Sequence, residues 1–539
     1  MRLSIALLLV YSVASTAFPP LRAARAAETD KIAERVEKLG GSIEVDAKQP
    51  GKPIVKIDLG NTFTTDDDLK LLEGVTTLRW LSLWRTRVGN DGLAHLAELP
   101  NLEWLDLGGT HISDDGLKHL AGLSKLETLT LFNTRVTDAG LKHLKGLTEL
   151  QDLALSDAPI KGDGLEYLTG LKKLKTLHLF RTRLVDSGLE HVAKLTTLET
   201  LDLGATHLTD AALAHLEPLE NLQSLTLKHT GIQGSGLAKL AKLKKLKMLD
   251  LGFTALSSSG LKNIKSLTGL QQLYLTDTQI DDASLAAVAD LGKLRLLDLG
   301  MTPIGDNGLA HLKGLSGLEE LVLIGTQTTD NGLKAIAGLE YLTTLILTGN
   351  EITDEGLAHL AGLKQLEHLD VRHTRVHGSG LEHLKGLTHL EMLDLGDTAL
   401  NDAGLVHVQA LTNLRELNLY NTHIDDDGLK PLGALKKIEA LGLAGTRIND
   451  AGLAEVGKLT SLRALTLLGT RVTDHGLAQL KGLKDLQTLS LQSTAVTDDG
   501  LKNLAGLTKL RMLNVVDTYV TDKALTQLRE KLPHLKVQR

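Results

Sequence analysis

Leu102 to Ser124 reads LEWLDLGGTHISDDGLKHLAGLS. The same frame, L-x-x-L-x-L-x-x-T-x-I-x-D-x-G-L-x-x-L-x-x-L-x-x, starts at Ile54, Leu78, Leu102 and Leu126, and then at every 24th residue to Leu510. Twenty copies follow one another without an insertion. A chain of this length would ordinarily make roughly three or four globular domains. An unbroken period instead predicts one elongated repeat domain, in which each coil buries its leucines against the next.

Each position of the frame has a physical role. Around Leu105-Asp106-Leu107 the chain alternates as a short strand, so Leu105 and Leu107 point inward and Trp104, Asp106 and Gly108 outward. Position nine is Thr in all copies but two, Ala158 and Asn350. Its hydroxyl is expected to bond backbone groups where the chain leaves the strand. Position thirteen is Asp in fifteen copies and otherwise Asn90, Gly162, Gly234, Ser258 or Gly378. All of these are favoured helix N-cap residues, so Asp138 and Asp354 are expected to cap their own helices. The following G-L-x-x-L-x-x-L has helical spacing, and Gly122, Gly146 and Gly362 suit a left-handed C-terminal cap.

A period in the 20–29 range carrying L-x-x-L-x-L resembles the leucine-rich-repeat family, over about nine-tenths of the chain. The T-D-x-G-L form is similar to helical bacterial and F-box-associated repeats, and less so to the shorter internalin repeats. The resemblance implies an α/β solenoid: a leucine-rich-repeat arc or horseshoe with parallel strands on the concave face and short α-helices on the convex face. It also implies an interaction function without specifying the partner.

Residues 1–26 read as a secretory signal: Arg2, the apolar run Leu3 to Val13, and the small-x-small site Ala24-Arg25-Ala26. Residues 27–53 read as an N-terminal cap, with a helix over Asp30 to Leu39, a strand over Ser42 to Val45 and a turn at Gln49-Pro50-Gly51. Residues 54–539 read as the solenoid, closed by a more charged helix over Lys523 to Leu532. No later stretch has the ~20 apolar residues of a membrane span. The chain has no cysteine, so an exported reading points to a bacterial periplasmic or secreted protein. Removing the leader takes the formal charge from −7 to −10, which argues against nucleic acid as partner.

No nucleotide-binding loop, G-x-S-x-G, H-E-x-x-H or cysteine nucleophile is present, so no enzyme and no cofactor is expected. A histidine column (His95, His119, His143 and onward) supplies one imidazole per coil, too sparse for a zinc site. Acidic runs such as Asp66-Asp67-Asp68 are explained by capping rather than calcium.

The outward strand positions carry the functional expectation. Position seven alternates small and large: Gly60, Trp84, Gly108, Phe132, Ser156, Phe180, Gly204. Position five places Asp58, Asp106 and Asp202 in the glycine coils. Nothing in solenoid packing is expected to require this alternation on a solvent face. All three tryptophans, Trp80, Trp84 and Trp104, fall on that face, followed by Phe132, His178 and Phe180. Arg85, Arg87, Arg135, Arg181 and Arg183 stand just past the strands, and Asp106 supplies a carboxylate. Exposed aromatics beside arginines mark an interface. The expected function is therefore a non-enzymatic scaffold that binds a protein or peptide in the cell envelope or outside the cell. A glycan ligand, a secreted effector and a ubiquitin-ligase-type adaptor are the alternatives.

Overall fold

The computed structural model describes residues 30–49 and 51–539, so the leader reading lies outside the described residues. The chain divides into two compact units, one ending at Asp202 and one beginning at Leu203.

The first unit opens on a helix over 30–38 whose Ile32 and Val36 are buried. Strand β1 (Ser42–Val45) then runs antiparallel to β2 (Ile54–Asp58). From β2 onward the strands are parallel: β3 (Trp80–Ser82), β4 (Trp104–Asp106), β5 (Thr128–Thr130), β6 (Asp152–Ala154), β7 (Thr176–His178) and β8 (Thr200–Asp202). Their register advances by one repeat, with Trp80 opposite Trp104 and Ser82 opposite Asp106. The central leucines Leu81, Leu105, Leu129, Leu153, Leu177 and Leu201 are fully buried. So are Leu102, Leu107, Ile112, Leu117 and Leu120 of a single coil. Burying each such side chain contributes about 1.5–3 kcal/mol, and no coil achieves it alone.

The second unit repeats this plan. Parallel three-residue strands run from Ser224–Thr226 through Met248–Asp250 and Gln272–Tyr274 to Met512–Asn514, where Lys536–Gln538 adds a last strand. A ten-residue α-helix, Asp522–Lys531, precedes that strand and is capped by the Thr521 hydroxyl.

The helical segments are short, and many are 3-10 rather than α. In the first unit Asp66–Leu72, Gly92–Leu96 and Asp163–Leu168 are 3-10, while Asp114–Leu117 is one α turn. From Leu117 the chain must reach the next strand entry at Leu126. A 3-10 helix rises about 2.0 Å per residue against about 1.5 Å for α, so it covers that distance with fewer residues.

The Thr column behaves as its position implies. Thr86, Thr110 and Thr134 donate to the carbonyls of Leu83, Leu107 and Leu131 at 2.7, 2.5 and 2.7 Å, closing the turn that leaves the strand. Asn350, one of the exceptions, donates to Leu347 of its own coil at 3.0 Å and to Leu323 of the preceding one at 2.6 Å.

The Asp column does not cap its own helices. The N-cap before Asp354 is Thr353, whose Oγ1 accepts from the Glu355 N–H at 3.3 Å. Asp354 turns to the next coil and accepts from the Gly378 N–H and the Ser379 hydroxyl, each at 2.9 Å. Burial pushes its carboxyl pKa up, but the Gly378 and Gly380 N–H groups outweigh it and hold the value below the ordinary one. Asp138 likewise accepts from the N–H groups of Lys161 (2.8 Å), Gly162 (2.9 Å) and Gly164 (2.9 Å). Each carboxylate thus caps the helix of the coil that follows. The Gly at position fifteen makes this possible: a Cβ on Gly92 would stand 2.5 Å from Asp66 Oδ1. Where position thirteen is Gly162, Gly234 or Gly378, the helix starts one residue later and that glycine is itself the N-cap.

Candidate functional site

The outward side chains of the first unit form rows across its strands, one residue per coil. Trp80 and Trp104 are paired in register and stack with centroids 4.2 Å apart and planes 7° from parallel. Lys56 is opposite Trp80 on the other neighbouring strand, and its Nζ stands 4.1 Å from the Trp80 ring centroid. Trp80 therefore has a cation on one face and an indole on the other. Further along, the Arg85 guanidinium lies 4.7 Å from the Trp84 ring and that of Arg181 lies 5.5 Å from the Phe180 ring. Arg87 covers Phe63 at 4.9 Å, and Phe63 is 74% exposed. Such contacts contribute about 0.5–1 kcal/mol each at exposed sites. The sequence reading missed Lys56 and Phe63. Phe63 shares position ten with Arg87, Arg135 and Arg183, so its column already marked it.

Two expectations about this face are corrected. The aromatics are not free-standing: Trp80, Trp84, Trp104, Phe132 and Phe180 are all half-buried. The alternation at position seven also has a packing cause. The Phe132 ring lies over Gly108, where a Cβ would overlap it, and Tyr420 lies over Gly396 in the second unit in the same way. Asp106 holds the Gly108 N–H at 2.8 Å, as Asp58 holds that of Gly60 at 2.9 Å and Asp250 that of Gly252 at 3.0 Å. Asp-x-Gly thus forms a local turn, and one Asp106 oxygen is committed to it. Burial raises the Asp106 pKa.

Position eight is left-handed in every coil of this unit from Asn61 to Arg181. Asn61, Gly109, Asn133 and Asp157 are residue types that adopt this conformation at low cost, but Arg85 (φ 52°) and Arg181 (φ 55°) are not. Both strained arginines lie against the aromatic ring of the residue before them. The conformation belongs to the repeat, since Ala205, His229, Phe253 and Met301 adopt it at the same position. Replacing Arg85 by Asn is expected to raise stability by about 0.5–1 kcal/mol, read as a higher denaturation midpoint. A lower midpoint would show that the Trp84 contact outweighs the strain.

At the far end of the row the Asp202 carboxylate, 4.0 Å from His178 Nδ1, raises the His178 pKa against the opposing effect of burial, with help from Asp152. Burial raises the Asp152 pKa. The guanidinium groups of Arg135 and Arg183 are exposed and make no ion pair with a described residue. Among the described residues no group of three or more His, Asp or Glu side chains is placed to hold a metal ion. No helix of the described residues is long and apolar enough to cross a membrane.

Residues 389–538 match the family described as Leucine-rich repeat region, and residues 98–121 and 338–361 each match Leucine Rich repeat. These stretches of the chain carry leucine-rich repeats. No curated protein matches it. Among solved structures, a TLR13–ssRNA13 complex aligns with a TM-score of 0.58 at 21% identity, over 82% of this chain and 67% of that one. A leucine-rich-repeat protein of Leptospira interrogans aligns at 0.44 and 21% identity, over 83% and 97%. The Arabidopsis receptor kinase HAESA ectodomain, solved with an IDA peptide hormone, aligns at 0.46 and 18% identity, over 93% and 94%. At these identities the likeness is one of fold. The leucine-rich repeats determine where each side chain points, and the departures from the repeat distinguish the aromatic and arginine row.

Proposed function

We propose that the sheet face of the first unit binds a peptide or protein segment bearing carboxylates and apolar side chains, without catalysing a reaction, in the cell envelope or outside the cell. The observation that carries this reading is the paired row of Trp84 with Arg85 and Phe180 with Arg181, flanked by the unpaired guanidinium groups of Arg135 and Arg183. The arginines at position ten recur every second coil, so they stand about 9–10 Å apart, two strand spacings. Aromatics and arginines dominate interface energetics, and stacking holds these in place before a partner arrives. A peptide is favoured over a sugar by the Trp80 stack: a sugar ring packs on a free aromatic face, and both faces of Trp80 are occupied. The envelope assignment follows from the leader-like residues 1–26.

A displayed random-peptide library panned on the whole chain tests the proposal. Enriched peptides are expected to carry Asp or Glu beside apolar residues. Their affinity should fall at least about a hundredfold in a Trp84→Ala, Arg135→Ala, Arg183→Ala triple variant, a loss in the range of hot-spot truncations. Phe132 is left in place because it covers Gly108. Unchanged affinity in the triple variant would refute the site.

A further inference from the structure

The second unit holds a concentration of positive charge on a chain whose overall charge is negative. Between Glu220 and Asp277 there are eight lysines and a single acid, Asp250, a net of +7 within a chain of net −7. Helical periodicity does not require this, because other coils fill the same exposed positions with Glu and Asp (Glu319, Glu367, Asp485).

The fold gathers part of this charge around one depression. A cleft of about 250 Å³ lies on the edge where the chain enters the strands, lined by Lys244, Lys245, Lys247, Lys293, Gln223 and Gln271. Gly269 also lines it, and stands in the same repeat position as Lys245 before it and Lys293 after it. The missing side chain opens a gap between two ammonium groups whose coils are about 9–10 Å apart, two strand spacings. None of the four lysines has a carboxylate partner among the described residues. Lys245 Nζ donates to the Asn221 side chain at 2.7 Å and Lys247 Nζ to that of Gln223 at 3.0 Å. By contrast Lys239 and Lys242, on the adjoining helix, share Glu217 at 3.6 and 3.0 Å. Four like charges without counter-charges repel one another, and an anion in the cleft relieves that repulsion.

We propose that this cleft is a second binding site, separate from the aromatic row of the first unit, and that its ligand is an acidic polysaccharide. Two features select that class. The lining pairs ammonium groups with side-chain amides, which suits a polymer alternating anionic groups with hydroxyls. No aromatic side chain lines the cleft, so it lacks the stacking platform on which single-stranded nucleic acid depends. The repeat supplies the geometry: neighbouring coils place lysines in rows along the edge, so a linear chain of charges is met by a linear array.

Binding of the full chain to heparin and to polygalacturonate, with dextran and single-stranded oligo-dT as comparison polymers, tests the proposal. Heparin carries sulfates and uronates, whereas polygalacturonate carries uronates alone, so their relative affinities identify the anionic group recognised. At least one of the two is expected to bind in a salt-sensitive manner, with dextran inert and oligo-dT weaker. A Lys245→Gln, Lys293→Gln double variant should lose at least about tenfold in affinity for the bound polymer, because two attractive charges are removed. A Lys118→Gln, Lys142→Gln variant changes the net charge equally in the first unit and should bind as the parent does. The proposal is overturned if neither acidic polymer binds, if oligo-dT binds as tightly as the better of them, or if the two double variants lose affinity equally.

Discussion

Replacing Asp138 by Ala is expected to destabilise the first unit by about 3 kcal/mol. The carboxylate accepts three backbone N–H groups, from Lys161, Gly162 and Gly164, all belonging to the next coil. Hydrogen bonds to a charged acceptor contribute about 1.5–3 kcal/mol each, and water recovers part of that for the exposed Lys161. An ordinary helix cap, lost in the same substitution, would cost only about 1 kcal/mol. Hydrogen exchange of the first unit's amides resolves the difference locally, with the Gly162 and Gly164 amides exchanging fastest in the variant. Asp138→Asn retains one acceptor oxygen and should fall between parent and Ala. Asp522 is the internal comparison: it has the same place in the repeat, but its exposed carboxylate pairs with the Arg539 guanidinium rather than with backbone N–H groups. Its replacement by Ala should cost less than about 1 kcal/mol. Equal losses at Asp138 and Asp522 would show that the coil-to-coil bonds contribute little.

Gly234→Ala should be still more damaging, by about 3–4 kcal/mol, for two reasons that add. Gly234 sits at φ 103°, a conformation that costs an L-residue about 1–2 kcal/mol. The new methyl would also stand 2.5 Å from the Gly260 Cα and 2.6 Å from a Leu256 methyl. Gly260 is backbone of the next coil and cannot swing aside, so relief requires the two coils to separate. Gly252→Ala is the comparison. Its Cβ would come no closer than 3.3 Å to Asp250 Oδ1, and a change within about 0.5 kcal/mol is expected. Thermal unfolding of the two variants side by side decides it; similar midpoints would mean that the coils yield at Gly234 more readily than their packing implies.

These two substitutions also show how far single positions can be read. From one coil, Asp138 is an acceptable N-cap and Gly164 an ordinary helix glycine. Both readings follow local rules and both omit the neighbour 24 residues away. Asp and Gly are kept in their columns because the carboxylate of one coil lies against the bare backbone of the next, and single-coil propensity contains no such term. The same holds at position seven. The large and small alternation resembles a binding pattern in the sequence, and part of it is Phe132 lying on Gly108. The Trp, Phe and Arg row, in contrast, was visible because those residues break a column of polar and small ones. What the sequence did not disclose is that Trp80, Trp84 and Phe180 already face a cation, because such contacts depend on side-chain direction as well as register.

The period and the L-x-L alternation by themselves determined a solenoid of short parallel strands backed by short helices, since only stacking can bury one leucine set per 24 residues. The Thr hydroxyls were equally legible, because they bond within three residues of themselves. Only the tertiary structure decided which coil each Asp serves, why glycine stands at position fifteen, and which lysines converge on Gly269 without counter-charges. The physical reason is range. Helical and strand periodicity express contacts a few residues apart, whereas the bonds that stitch coils together, and the surface charge they bring into one place, join residues a whole repeat apart.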